Sequence, residues 1–176
     1  MKRTWMPALT VTAALLAAPL SVLKASTTVP PLEERVRHEL LMLPLYGVFD
    51  QLTYKVNGDS VTLGGQVVLP TLKNAAETVV KRIPGVKAVQ DQIEVLPLSP
   101  FDDQIRWAEL RAIYGTSSLF RYNMGAVAPI RIIVNNGHVT LEGVVASQMD
   151  KQVAGMAAAS VAHVFSVTNN LQVKSS

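Results

Sequence analysis

The sequence predicts an α+β protein made of two tandem αββαβ domains, each a three-stranded mixed sheet with two helices packed on it. Three observations carry this. Leu52–Val95 aligns with Ile130–Val173 without a gap, at an offset of 78 residues. Within each copy, a turn signal precedes a strand of period two, in which alternate apolar residues mark a sheet buried on one side. A stretch with the 3.6-residue period of an amphipathic helix then follows.

Each element has its own signature. A first helix is expected where Leu32, Val36, Leu40 and Leu43 share a face, and again where Phe101, Ile105, Ala108 and Ala112 do so, each stretch preceded by proline. Asn57-Gly58-Asp59 and Asn135-Asn136-Gly137 accept positive φ, so each marks the turn of an antiparallel hairpin. The strands after the turns alternate Val61, Leu63, Gly65, Val67 and Val139, Leu141, Gly143, Val145. Gly65 and Gly143 leave gaps on the buried face, and a helix lying over each glycine is the expected occupant.

That helix is read from Leu72, Ala75, Ala76, Val79, Val80 and Ile83, and in the second copy from Val153, Ala154, Ala157, Ala158 and Val161. Pro84-Gly85 stops the first of these, whereas the second copy has Ala162-His163 at that point. A third strand follows over Val86, Val89, Ile93 and Val95, and over Val164, Val167, Leu171 and Val173. The pattern leaves open whether it pairs with the first or the second strand. Leu96–Pro100 is a short linker with two prolines, and the second copy carries a longer insert, Gly115–Pro129, before its hairpin.

The chain has 176 residues and a formal charge of +3, for which Lys2, Arg3 and Lys24 account entirely. From residue 26 onward 13 basic residues face 13 acidic ones. The body therefore lacks the basic field of a nucleic-acid binder, and no nucleic-acid partner is expected. Residues 1–25 join a basic start, an apolar stretch interrupted by Pro7, Pro19 and Ser21, and small residues ending at Ala25. That is the layout of a signal peptide, and it predicts a periplasmic or secreted protein after cleavage. The chain has no cysteine, so neither a disulfide nor a lipidated cysteine is available.

The order of turn, Val61-Thr62-Leu63-Gly64-Gly65 strand, helix and Pro84-Gly85-Val86-Lys87-Ala88-Val89 resembles the BON (bacterial OsmY and nodulation) domain family. Val139-Thr140-Leu141-Glu142-Gly143 and Val164-Phe165-Ser166-Val167 repeat it. On this resemblance residues 30–97 and 98–176 are each one domain. The resemblance implies a non-enzymatic cell-envelope module that associates with a phospholipid membrane surface or an envelope protein, in osmotic or envelope stress. Its alternative is a small-ligand or cation (K⁺) sensor at the interface between the tandem domains.

Groups that could perform chemistry are scattered. His38, His138 and His163 have no metal-ligand spacing and read as solvated or locally hydrogen-bonded, so no metal, cofactor or small-molecule substrate is expected. Asp102 and Asp103 read as acids favoured in the first turn of a helix. A hydrolase would need His38, Asp50 and Ser60 or similar groups to converge, which nothing in their spacing supports.

The clearest binding signal is a second helical stripe, Trp107, Leu110, Arg111 and Tyr114, opposite the Phe101 stripe. It either packs on the first copy or the insert, meets another protein, or lies at a membrane interface with Arg106 or Arg111 toward anionic lipid. Three such side chains offer roughly 1.5–3 kcal/mol each on full burial, and each nearby arginine about 1 kcal/mol. The implied attachment is weak and reversible. Phe120, Arg121 and Tyr122 in the insert, and Tyr46 and Phe49 in the first copy, are further aromatic positions that serve either a core or a contact.

Overall fold

A computed structural model describes residues 30–125 and 127–174, so the export signal read over residues 1–25 lies outside the described residues. The first copy runs α1 (Leu32–Leu41), β1 (Gln51–Asn57), β2 (Ser60–Val67), α2 (Pro70–Lys81), β3 (Ala88–Asp91) and β4 (Glu94–Val95). The second runs α3 (Pro100–Tyr114), a 3-10 turn (Phe120–Asn123), β5 (Ile130–Asn135), β6 (His138–Val145), α4 (Gln148–Ala159), β7 (Ser166–Asn169) and β8 (Gln172–Val173). The fold is α+β with mixed sheets, as the periodicities require.

In each copy the hairpin is antiparallel and the last strand joins it in parallel, against β2 and β6 rather than the first strand. The helix between them supplies the crossover that parallel neighbours need. The expected third strand is split in two. Asp91 breaks it by accepting the N–H of Ile93 on its carboxylate, and Asn169 does the same for Leu171. This side chain replaces a ladder partner for one residue, and pairing with β2 or β6 then resumes.

The two repeated glycines are explained by backbone approach, not by an overlying helix. Gly65 has φ +97° and Gly143 φ +120°. A Cβ there would stand 2.0 Å from the Gln51 carbonyl oxygen and 2.1 Å from that of Pro129, on the chain entering the paired strand. Only glycine fits such a contact at such a φ.

The helix ends also agree in geometry where their sequences differ. Gly85 turns left-handed after α2, and His163, at the equivalent position after α4, takes φ +69°. The imidazole ring packs edge-on to Phe101 at 5.5 Å, so an aromatic contact supports the conformation that glycine adopts freely. Phe101 is consequently half exposed and does not point into the core as its place in the stripe suggests.

Each copy has its own core: Val36, Leu40, Val61, Leu63, Leu72 and Val80 in the first, and Ile105, Ile113, Ile132, Leu141, Ala154 and Leu171 in the second. Burial of such aliphatic side chains contributes roughly 1.5–3 kcal/mol each, which fixes the helices on the sheets.

Candidate functional site

The helix read as the binding element, α3, does not simply cover the sheet. Its buried stripe is Asp102, Ile105, Arg106, Glu109, Ile113 and Tyr114, at helical spacing, with three charged residues among the six. They are buried because this side of α3 runs along the unpaired edge of β5 and supplies what an edge lacks. Arg106 Nη2 donates to the Val134 carbonyl at 2.8 Å, and the Tyr114 hydroxyl donates to that of Ile130 at 2.7 Å. Asp102 accepts the backbone N–H groups of Asn136 and Gly137 at 2.9 and 2.8 Å, gripping the hairpin turn. Asp102 is therefore a turn clamp rather than a helix-end acid, and Ser99 caps α3 instead.

Two of the five residues expected at a contact surface are thereby corrected. Arg106 and Tyr114 are buried and committed to β5 carbonyls, so neither reaches a membrane or partner. Burial pushes the Tyr114 hydroxyl up, against the Ile130 hydrogen bond and Arg131, which pull it down. Leu110 is half-buried against the second core, while Trp107 and Arg111 are exposed.

Trp107 is not free-standing. Its ring meets Phe49 of the first copy edge-to-face at 5.2 Å and 82° while remaining 55% exposed. Phe49 ends a short segment of the first copy that docks on the β5 edge. There Ile132 N–H donates to the Val48 carbonyl at 2.9 Å. The Arg131 guanidinium donates to the Gly47 carbonyl and stacks on the Tyr46 ring, 4.3 Å from its centroid.

Asp50 holds this segment in shape. Its carboxylate accepts the N–H groups of Gly47 at 2.9 Å and Val68 at 2.8 Å, which consumes the one buried acid a hydrolase reading had available in the first copy. Tyr46 and Phe49 are thus seam residues. Leu96 and Ile133 are also buried yet belong to neither core. The carbonyls of Gly47 and Val48 point across the seam and accept from the Arg131 guanidinium and the Ile132 N–H.

The segment also brings two residues that sequence reasoning missed. Leu45 and Met42 are 69% and 68% exposed, and they lie on the same short connection as Phe49. Their signal was present, two large apolar residues just past a helix end, which the sequence reading passed over.

The insert is structural at its centre. Asp150 accepts from Arg121, from the Tyr122 hydroxyl at 2.9 Å and from the Ser147 hydroxyl at 2.7 Å. Burial raises the Asp150 carboxyl, but these hydrogen bonds outweigh it and hold the group below the usual range. Tyr122 also accepts the Ala146 N–H at 2.7 Å and packs against the second core, whereas Phe120 is exposed.

Glu109 stands apart. It is 0% exposed, neither carboxylate oxygen has a hydrogen-bond partner among the described residues, and burial pushes its carboxyl up to about 8. It is held neutral by desolvation rather than paired.

The three histidines do not meet. His38 is exposed on α1, His163 packs on Phe101, and His138 Nδ1 lies 2.7 Å from the Ser166 hydroxyl. Among the described residues no group of three metal-ligating side chains forms, and no helix is long and apolar enough to cross a membrane. A cavity of about 640 Å³ lies between α1 and the end of α2. Arg35, Arg37, Arg82, Glu34, Glu39 and His38 line it, mixed charges without a serine, threonine or cysteine nucleophile.

Comparison with known proteins agrees with the duplication. The BON domain family model matches twice, over residues 30–97 and 108–175. Two solved structures of CdsD, a structural protein of the type III secretion system of Chlamydia trachomatis, are similar at 14% identity and a TM-score of 0.30. One, the C-terminal domain, covers 82% of this chain and 98% of its own; the other covers 81% and 92%. A search of curated proteins finds no match.

Proposed function

The chain belongs to the BON domain family, which is associated with membranes and the cell envelope, and on that footing we propose that it is an exported, non-enzymatic module that binds the phospholipid surface of the envelope. The contact is the outer side of α3, with Trp107, Leu110 and Arg111, extended by Leu45 and Met42 of the first copy. The supporting observation is the exposure of Trp107 beside Arg111, which has no salt bridge among the described residues.

An indole and aliphatic side chains suit the headgroup layer, and Arg111 suits anionic lipid. Partial burial of so few side chains gives weak, reversible association. The site lies beside the seam, so both copies contribute to it although only the second supplies the helix.

Co-sedimentation with vesicles of zwitterionic lipid, with and without anionic lipid, tests this. Trp107→Ala with Arg111→Ala should lower binding to anionic vesicles by at least about tenfold while the fold is kept. Unchanged co-sedimentation rejects the face, and envelope proteins recovered by it without lipid binding would point to a protein partner instead.

A further inference from the structure

The two copies have the same first-strand edge and treat it differently. In the second copy the edge of β5 is closed. The Ile130 and Val134 carbonyls accept from Tyr114 and Arg106, and the Ile132 N–H goes to Val48 of the first copy. The equivalent residues of β1 are Leu52, Tyr54 and Val56, paired with β2 in the same register as β5 with β6. Their outward-facing groups are nearly bare. Leu52 N–H donates to the Tyr46 hydroxyl at 3.2 Å, and among the described residues Tyr54 and Val56 have no backbone partner beyond β2. Thr53, Lys55 and Asn57 are exposed along it.

We infer that the β1 edge pairs with the β1 edge of a second copy of this chain, antiparallel about a twofold axis at Tyr54, joining two four-stranded sheets into one. A seven-residue strand with bare N–H and C=O groups is a template for strand addition, and this fold already receives a segment of chain on that edge once, within the molecule.

The sequence of β1 is self-complementary in this register. Tyr54 faces Tyr54, the apolar Leu52 faces Val56, and Lys55 faces Thr53, so the two lysines are not directly opposed. Tyr54, Leu52 and Val56 are the residues whose hydrogen-bonding groups point outward, so the axis falls on a bonded pair. Charge agrees: α1 brings one acid and one base, Glu33 and Arg37, close enough to act on the Tyr54 hydroxyl, and a twofold axis sets two balanced pairs together. An isologous contact of this kind closes at two copies.

Sedimentation equilibrium of the full chain should give a dimer. Tyr54→Pro, which removes an outward N–H that no described residue uses, should give a monomer with unchanged circular dichroism. The absence of cysteine permits a register test: Thr53→Cys with Lys55→Cys should form a covalent dimer on oxidation, in far higher yield than Lys55→Cys alone. Two cysteines separated by one residue of a strand are about 7 Å apart and cannot bridge within a chain.

A monomer at all concentrations without covalent dimer overturns the inference, and so does a dimer that survives Tyr54→Pro in a folded protein. Should Tyr54→Pro fail to fold, the cysteine pair decides. The vesicle assay above reads a different surface, so either result stands without the other.

Discussion

The first and second copies were built from one pattern, and their first helices show how far they have diverged. Aligned on their prolines, Pro31 and Pro100, α1 and α3 place Val36 with Ile105 and Leu40 with Glu109. The first copy buries a leucine where the second buries a carboxyl group with no partner. The outward residues of the neighbouring strands differ in the same sense. Thr53 and Lys55 are exposed on β1, whereas their equivalents Arg131 and Ile133 are buried, Arg131 at the seam. One copy keeps a generic core and an edge nearly bare among the described residues, and the other has been adapted to receive its neighbour.

The largest expected effect tests what the copies share. Gly65→Ala and Gly143→Ala each force a Cβ into a backbone carbonyl at positive φ, and each should cost about 4 kcal/mol or prevent folding. Urea unfolding checks this, and a loss below about 1 kcal/mol at either site would break the equivalence of the copies.

Next in size is the exchange Glu109→Leu, which gives the second copy the residue of the first. Free glutamate titrates at 4.5 and folded Glu109 at about 8. Between those values the folded chain holds a proton that the unfolded chain has lost. Stability from this group is therefore intact below about pH 4.5, falls as pH rises toward 8, and is flat beyond. Glu109→Leu should remove that slope and stabilise the protein by about 3 kcal/mol at neutral pH. Denaturant midpoints at about pH 5 and about pH 8 measure it, and an unchanged slope would show the carboxylate to be solvated or paired.

A smaller effect sharpens the seam. Arg131→Ala removes a hydrogen bond to Gly47 and the stacking on Tyr46, a loss of about 1–2 kcal/mol. Each copy keeps its own core, so calorimetry should show one thermal transition separating into two. A single transition in the variant would mean that the remaining contacts at Phe49 and Val48 are enough to couple the copies.

The duplication and the helix–strand order were legible because apolar periodicity is imposed wherever one side of an element is buried. Three features were not, each for a physical reason. The third strand read as continuous because Val89, Ile93 and Val95 keep the apolar spacing, and the interruption comes from a side-chain hydrogen bond at Asp91 that periodicity does not register. Gly65 looked like a missing side chain, yet it answers a backbone approach from the chain ahead of the paired strand.

The face of α3 was misjudged because helical stripes were sorted by polarity. Asp102 and Arg106 are buried against a turn and a strand edge that offer polar groups, and Glu109 is buried with no partner among the described residues, so charge did not mark solvent. Trp107 and Arg111 are exposed, as that reading expects, whereas Arg106 and Tyr114 were drawn in with them by adjacency on the helix.

The edge contact between Trp107 and Phe49 makes the indole a natural reporter. The only other tryptophan of the chain, Trp5, lies in the stretch read from the sequence as an export signal, so its removal would leave one emitter, placed where the copies touch and where lipid binding is proposed. A blue shift with vesicles and a change in quenching on loosening the seam would then come from the same ring. Occupancy by lipid and closure of the joint would be thermodynamically linked, each altering the other by the same factor.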